Sequence, residues 1–117
     1  MNKVFTNKYK NKKTTINGIK FDSKLEAKRF TELKLLEKSG LIEDLKLQPS
    51  FQLIPTFKKN GTTFRKTSYK ADFQYYDKEK ERTIIEDTKG FKTKEYIIKK
   101  KLFEYKYPEL TIKEVKK

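Results

Sequence analysis

A carboxylate and a lysine two positions apart form the most reactive arrangement in the sequence. Asp87, Thr88 and Lys89 directly follow Thr83–Ile85, a β-branched run that predicts a strand. Because side chains alternate along a strand, Asp87 and Lys89 would share one face. The carboxylate could hold a divalent cation, and the ammonium group could orient or deprotonate an attacking water or stabilise charge on a phosphate. The pattern therefore suits metal-assisted phosphodiester chemistry.

The spacing alone selects nothing in a lysine-rich chain. An acidic residue two positions before a lysine occurs seven times, at Asp22, Glu26, Glu32, Asp44, Asp87, Glu104 and Glu114. Only Asp87 directly follows a β-branched apolar run, and only its Lys89 directly precedes a glycine, Gly90. Context therefore selects the pair Asp87 and Lys89.

Asp72 is a second acidic candidate on a neighbouring strand. If residues 62–76 and 83–89 form a hairpin that turns near Glu79 and Lys80, Asp72 lies opposite Asp87, with Cβ atoms about 4.5–5.5 Å apart. Like charges at that distance are destabilising unless a cation lies between them. A register shift of one residue would separate the two groups. The alternative is a solvent-facing sheet surface with incidental charges.

Glu26 has two possible roles. Ser23-Lys24-Leu25-Glu26 matches the capping box, in which the glutamate reaches back to the cap residue. On a helical wheel, however, Glu26 lies within the apolar arc and would point toward the sheet, where a lone carboxylate is costly unless it is paired or metal-bound. Arg29 and Glu37 share that arc, so both roles stay open.

Composition narrows the chemistry. The 117 residues carry 30 Lys+Arg and 16 Asp+Glu, a formal net charge of +14, which indicates a polyanionic partner. Nucleic acid is the first candidate and an anionic membrane surface the second; no apolar run approaches the roughly 20 residues that span a bilayer. The chain contains no Cys and no His, which excludes disulfides, thiolate or imidazole metal sites and His-dependent triads. Oxygen ligands favour hard cations such as Mg²⁺ or Mn²⁺.

The remaining patterns predict the elements that must position these groups. Asn17-Gly18 and Asn60-Gly61 are hairpin turn signals, and Ser23 and Gly40 are start and stop signals of a helix. The predicted elements are a hairpin over 14–21, a helix between Ser23 and Gly40, strands over 42–48, 51–57, 62–76, 83–89 and 110–115, and a helix over 93–107. We therefore expect one mixed α/β domain over residues 1–117, with a basic N-terminal arm over 1–13 that is either solvated or binds phosphates.

Several of these segments resemble a known group of nucleases. The segments are Phe21–Ala27, Leu47–Phe51, Tyr69–Phe73 and Glu86–Phe91. Their order, a helix glutamate, a strand aspartate and then Asp-x-Lys on the next strand, resembles the PD-(D/E)XK superfamily of restriction-endonuclease-like nucleases. The chain is also similar to a family of small phage-borne proteins of unknown function that are thought to be such nucleases. The departure from the pattern is Ala71 before Asp72, where the superfamily often has proline.

The resemblance implies a fold, an activity and a setting. It implies a central mixed β-sheet flanked by helices and a Mg²⁺-dependent DNA endonuclease, with Mn²⁺ as a substitute. It makes Lys89 the catalytic lysine, Asp72 and Asp87 metal ligands, and Glu26 a ligand or its support. Branched or recombining phage DNA, the cytoplasm of a bacterial host and a homodimer are further expectations from it. Glu86 competes with Asp87 as the acidic residue, but only Asp87 shares a face with Lys89.

Basic residues around the expected cleft are candidate DNA contacts. They are Lys58, Lys59, Arg65, Lys66 and Lys70, together with Lys94, Lys99 and Lys100 on the second helix. The lysines of that helix could equally serve solubility. Gln48, Gln74 and Glu86 are candidates for supporting positions around the site. No recognition helix with base-reading side chains is evident, so we expect recognition of shape and backbone.

Two other functions remain open at this point. A basic DNA-binding accessory protein could keep the fold and do no chemistry. A protein-interaction module, such as an inhibitor with a basic face, would have no affinity for DNA even at low salt.

Overall fold

The computed structural model describes residues 13–16, 18–89 and 91–116. Lys13 is the one residue of the predicted arm over 1–13 that is described, and the rest of the arm lies outside the described residues. Asn17 and Gly90 also lie outside them. Within the described residues the strands are β1 (Thr14–Ile16), β2 (Ile19–Phe21), β3 (Ile42–Leu47), β4 (Ser50–Ile54), β5 (Phe57–Lys59), β6 (Thr62–Phe64), β7 (Thr67–Lys70), β8 (Phe73–Asp77), β9 (Arg82–Thr88) and β10 (Ile112–Val115). The helices are α1 (Lys24–Lys38) and α2 (Lys94–Lys106).

The central sheet is mixed, as predicted. Its strand order is β10-β9-β8-β3, in which β10 runs parallel to β9 and the other neighbours are antiparallel. The remaining strands form antiparallel pairs, β1 with β2, β4 with β7, and β5 with β6. The fold is therefore a mixed α/β arrangement of a sheet with two described helices, which confirms the predicted fold class.

One helix covers each face of the central sheet. Ile84 and Ile85 are neighbours on β9, so their side chains point to opposite faces. Ile84 lies in an apolar cluster with Phe30 and Leu33 of α1, whereas Ile85 lies in a second cluster with Phe103 of α2. Both clusters are rich in aromatic rings, which supply the buried area that the low apolar content would otherwise lack.

Local signals explain where α1 begins and ends. The Ser23 hydroxyl accepts a hydrogen bond from the Glu26 backbone N–H, which satisfies one free donor of the first turn. Gly40 follows the C-cap with φ of +83°, the left-handed conformation that glycine adopts without a steric penalty. The predicted boundaries of this helix are confirmed.

The predicted strand over residues 62–76 is wrong in its continuity. The segment forms three strands, and a bend at Asp72 separates β7 from β8. Tyr69 and Ala71 lie in the α2-side cluster, whereas Phe73 and Tyr75 lie in the α1-side cluster. The alternation in the sequence is real, since all four side chains are buried, but the chain turns over at Asp72.

A two-stranded antiparallel segment lies between β3 and β8 in the sequence and is not part of the central sheet. We define the ribbon as Ser50–Lys70, in which β4 pairs with β7 and β5 pairs with β6. Asn60 and Gly61 form its tip, as their turn signal predicts, and both have positive φ. The prediction of one or two strands over 42–57 was incomplete, because the segment breaks at Pro55 as well as near Pro49.

None of the helices in the described part of the chain has the length and apolar character needed to cross a membrane.

Candidate functional site

The end of β9 carries the predicted Asp-x-Lys pair. Asp87 is buried, with 2% of its surface exposed, while Lys89 is partly exposed. The Lys89 Nζ lies 3.2 Å from Asp87 Oδ1 and 4.3 Å from the centre of the Tyr96 ring. The two side chains therefore share a face, as their spacing predicts, and the aromatic ring of α2 supports the ammonium group.

Burial makes the charged form of Asp87 costly. It raises the pKa of this carboxyl, and the nearby charge of Asp72 raises it further. A hydrogen bond that the Tyr69 hydroxyl donates to Asp87 Oδ2 and the ion pair with Lys89 both lower the pKa, but not enough to offset burial. The site thus holds an acidic group that would gain from additional positive charge.

Asp72 is fixed beside Asp87 by the end of β9. The antiparallel register pairs Phe73 with Glu86, so that Asp72 and Asp87 are the next residues along their strands, as the predicted hairpin requires. Asp72 Oδ2 accepts hydrogen bonds of 2.7 Å from both the backbone N–H and the hydroxyl of Thr88. Hydrogen bonds among the described residues involve only Oδ2, which leaves Oδ1 of Asp72 available.

Glu26 joins the two aspartates from the first turn of α1. Its side chain is buried, and burial raises its pKa to about 7, with further increases from the charges of Asp72, Asp22 and Asp87. The backbone of Asp22 donates a hydrogen bond that lowers the pKa in part. Helix capping by Ser23 and an inward carboxylate therefore occur together at this position.

The structure brings together Glu26, Asp72, Asp87 and Lys89 at one end of the sheet. The charges of Asp72 and Asp87 both contribute to the raised pKa of Glu26, and the charge of Asp72 contributes to that of Asp87, although burial is the largest cause for both groups. Within residues 13–16, 18–89 and 91–116, however, no three acidic side chains already form a cluster that could hold a metal ion. The arrangement concentrates negative charge beside one ammonium group without closing into a three-ligand cage.

Comparison with the sequence profiles of protein families assigns the chain to one family. The profile of the family described as "Protein of unknown function (DUF1064)" matches residues 6–117. The chain belongs to the DUF1064 family. Comparison with curated proteins and with solved structures gave no match.

Glu86 of this DUF1064 protein has a different role from its neighbour. It faces α1 and is fully buried, where Arg29 contacts it with Nε to Oε1 at 2.7 Å and Nη2 to Oε2 at 2.6 Å. The Tyr75 hydroxyl also donates to Glu86 Oε2. Glu86 therefore lies in the layer opposite Asp87 and Lys89, where its partners are Arg29 and Tyr75 and not the residues of the candidate site. The parity argument for Asp87 agrees with this placement.

The other two supporting candidates differ in their contacts. Gln48 donates its backbone N–H to the carbonyl of Asp72 at 2.9 Å, so it positions the bend through its main chain. Gln74 is half-buried in β8, where it pairs with Ile85 and Lys46. The contact of Gln48 thus does not depend on its side chain, and Gln74 is a residue of the central sheet.

The candidate DNA contacts fall into two groups. The ribbon residues Lys58, Lys59, Arg65, Lys66 and Lys70 are exposed and form no ion pair with described residues. Lys94 is exposed at the start of α2. Lys99 and Lys100, in contrast, pair with Glu95 at 3.0 Å and Glu114 at 3.1 Å. The ribbon therefore offers more available positive charge than the second helix.

Sequence patterns missed the tyrosines of the site. Tyr69 contacts Asp87, and Tyr96 lies under Lys89 while its hydroxyl donates to Glu114 at 2.8 Å. Hydrogen bonding from Lys92, with help from Tyr96 and Lys100, lowers the pKa of Glu114 to about 2. Both tyrosines look like ordinary core residues in the sequence, and only the tertiary fold shows which acidic group each one meets.

Proposed function

We propose that this protein is a divalent-metal-dependent DNA endonuclease of the restriction-endonuclease-like type. The observation that carries the proposal is the convergence of Glu26, Asp72 and Asp87 beside Lys89, in a chain with a net charge of +14. The charged forms of Glu26 and Asp87 carry an energetic cost, because burial raises the pKa of each group and neighbouring carboxylates raise it further. A bound cation would offset it.

The available donors fit a hard cation. They are carboxylate oxygens, the ligands that Mg²⁺ and Mn²⁺ prefer, and Asp72 Oδ1 accepts no hydrogen bond from a described residue. Asp72 and Asp87 would hold the ion, and Glu26 would complete or support its surroundings. When bound, the ion would neutralise phosphate charge and lower the pKa of a coordinated water.

Lys89 is the residue that would act on the phosphodiester. Its ammonium group is held by Asp87 and the Tyr96 ring, yet about a quarter of the side chain is exposed, since its relative accessibility is 26%. It can therefore reach a bound phosphate, where it would stabilise the negative charge that develops as water attacks. Asp87 orients the ammonium group, and Tyr69 in turn fixes Asp87.

Charge on the surface supports DNA as the substrate. The five basic residues of the ribbon form no ion pair with a described residue, and the ribbon leads through β7 to Asp72, so that a nucleic-acid backbone bound along it would lead to the acidic residues. The resemblance to phage nucleases extends the proposal to branched or recombining DNA in a bacterial host cell. It also favours a homodimer, since two copies could cut two strands symmetrically.

Cleavage assays with purified protein test the proposal. Supercoiled, linear and four-way-junction DNA would be incubated with Mg²⁺, with Mn²⁺ and with EDTA. We expect nicking or cleavage only with metal, and its loss in Asp87→Ala and Lys89→Ala variants that still bind DNA. Asp44→Asn is a matched control, because exposed Asp44 also lies two positions before a lysine. Intact DNA in every metal condition would contradict the nuclease proposal.

A DNA-binding protein without catalysis is the second candidate. It is favoured by the ion pair and hydrogen bond that already engage Asp87, and by the lack of a three-carboxylate cluster in the described part of the chain. In that case Asp72→Asn would tighten DNA binding by removing repulsion and would affect no cleavage. Metal-dependent cleavage that Asp72→Asn abolishes would exclude this candidate.

A further inference from the structure

The ribbon carries charge of only one sign. Residues 49–71 contain five basic residues and no Asp or Glu, although the chain as a whole has 16 acidic residues. The five basic side chains are exposed and, among the described residues, none forms an ion pair. Segregation of this kind produces a strong local positive potential, which favours an extended polyanion as partner.

Two aromatic rings lie exposed near the tip of this basic ribbon. Phe57 and Phe64 are direct cross-strand partners, and their rings stack with centroids 4.9 Å apart and planes inclined by 14°. Phe57 is 44% exposed and Phe64 is 45% exposed, although both are large apolar side chains. Each ring covers one face of the other, so the outer faces of the pair remain accessible.

Cross-strand packing alone does not explain this pair. Two stacked rings stabilise a hairpin only modestly relative to alanines. A cross-strand pair of β-branched residues could give the same stabilisation without exposing aromatic surface. Alternation along β5 also places Lys59 on the same face as the two rings, while Lys58 lies on the opposite face. The face thus combines flat π-surfaces with a cation.

We infer that this ribbon face binds unpaired nucleotides, with a base stacked on the Phe57–Phe64 pair and an adjacent phosphate contacted by Lys59. Stacking on an aromatic ring requires an exposed base face, which a single strand or a branch offers and an intact duplex does not. The polar tip, Asn60-Gly61, argues against insertion into a membrane, because an inserting loop carries its apolar side chains at the apex. The choice of DNA over RNA rests on the proposed nuclease function.

Binding in EDTA tests this inference separately from cleavage. Fluorescence anisotropy would compare labelled oligo-dT, oligo-rU and a blunt duplex of equal length. The full chain would be tested as wild type, Phe57→Ala/Phe64→Ala and Phe57→Leu/Phe64→Leu. Leucine keeps the apolar packing of the hairpin but has no π-face, and circular dichroism would check that each variant is folded. Tyr105→Ala is the control, because Tyr105 is an aromatic residue that is 87% exposed and lies on α2, outside the β5–β6 hairpin that carries the two rings.

The expected result is a selective loss of single-strand binding. Loss of base stacking should weaken oligo-dT binding by about 5- to 150-fold in both double variants. Duplex binding, which depends on phosphate contacts, should change little, and Tyr105→Ala should bind like the wild type. Wild-type affinity in the leucine variant, or an equal loss for single strand and duplex, would overturn the inference. Tight binding of oligo-rU with no binding of oligo-dT would overturn the choice of DNA.

Two further measurements locate the bound base. An oligonucleotide that contains 2-aminopurine should lose fluorescence on binding to the wild type, because stacking quenches this base. It should keep its fluorescence on binding to the leucine variant.

Lys59→Ala should weaken binding more than Lys58→Ala, and equal losses would overturn the assignment to this face. Binding to anionic vesicles but not to oligonucleotides, or a dimer that only the alanine variant dissociates, would also overturn it. Failure of cleavage alone would contradict the nuclease proposal and leave these binding results standing.

Discussion

Tyr69 donates a hydrogen bond to Asp87, although the two residues lie 18 positions apart and on strands of different sheets. This contact connects the base of the ribbon to the end of the central sheet. It also supplies Asp87 with a donor that lowers its pKa against the effect of burial. The position of the candidate catalytic carboxylate therefore depends on β7 as well as on β9.

Replacement of Tyr69 by Phe tests that dependence. The change removes one donor from a buried carboxylate, so we expect a loss of about 1–3 kcal/mol in the free energy of unfolding at neutral pH. The loss should shrink as the pH falls, because a protonated Asp87 needs fewer donors. Urea titrations followed by circular dichroism measure it. Tyr107→Phe is the control, since its hydroxyl donates to an exposed carbonyl, that of Gln52, and should cost less.

The buried ion pair of Arg29 and Glu86 gives a second prediction. Glu86 has no exposed surface, so Arg29→Met leaves a buried carboxylate whose one remaining partner among the described residues is Tyr75. We expect a loss of about 3–5 kcal/mol in the free energy of unfolding. The double change Arg29→Met/Glu86→Gln should recover much of this loss, because it removes the uncompensated charge.

An exposed ion pair is the control for that experiment. Lys78 and Glu43 lie 3.4 Å apart, and each side chain is 50% exposed. Lys78→Met should therefore cost no more than about 1 kcal/mol. Similar losses for Arg29→Met and Lys78→Met in urea titrations would contradict a buried, charge-dependent role for Arg29.

Local patterns predicted both helices, the turns and one long-range pairing, but not the breaks that divide residues 42–76 into six strands. Caps, turn dipeptides and alternation fixed the boundaries of α1, the tip of the ribbon and the turn between β8 and β9. That turn sets the register, and the pairing of Phe73 with Glu86 places Asp72, at the bend before β8, opposite Asp87 on β9. Short-range rules reach this far because a tight hairpin leaves little freedom in its pairing.

The same patterns could not predict which layer each buried residue joins. Tyr69 and Phe73 have the same alternation and burial, yet the bend at Asp72 places them on opposite sides of the sheet. The partners of Glu86 and Asp87 likewise depend on packing between helices and strands that are distant in the sequence. Alternation shows that a side chain is buried, but tertiary contacts determine which residues it packs against.

Glu26 provides a prediction about pH. Burial and neighbouring negative charges raise its pKa from 4.5 to about 7, so the folded protein binds a proton more tightly than the unfolded chain between these values. Its contribution to stability is therefore fully present below pH 4.5 and is lost as the pH rises to 7. In metal-free buffer, Glu26→Gln should be roughly 3 kcal/mol more stable than the wild type at pH 8, with no such gain at pH 4.

The first turn of α2 supplies the control for Glu26. Glu95 is also an acidic residue in the first turn of its helix, one position closer to the cap residue, but its side chain is 75% exposed. Glu95→Gln should leave the pH dependence of the unfolding free energy unchanged. If Glu26→Gln also leaves it unchanged, Glu26 is not a buried acid next to two aspartates.

Divalent metal should stabilise the folded protein through the same carboxylates. An ion that binds only the folded state adds about 2.7 kcal/mol to the free energy of unfolding when its concentration is 100 times its dissociation constant. We expect Mg²⁺ or Mn²⁺ to stabilise the wild type at pH 8, and less at pH 5, where Glu26 is protonated. Urea titrations at constant ionic strength measure the effect and exclude general charge screening in this basic chain.

Asp72→Asn should remove most of the stabilisation, whereas Asp44→Asn, in an exposed acidic position, should retain it. Equal stabilisation of both variants would show that the ion binds elsewhere, and the proposed metal site would then be wrong even if the protein binds DNA.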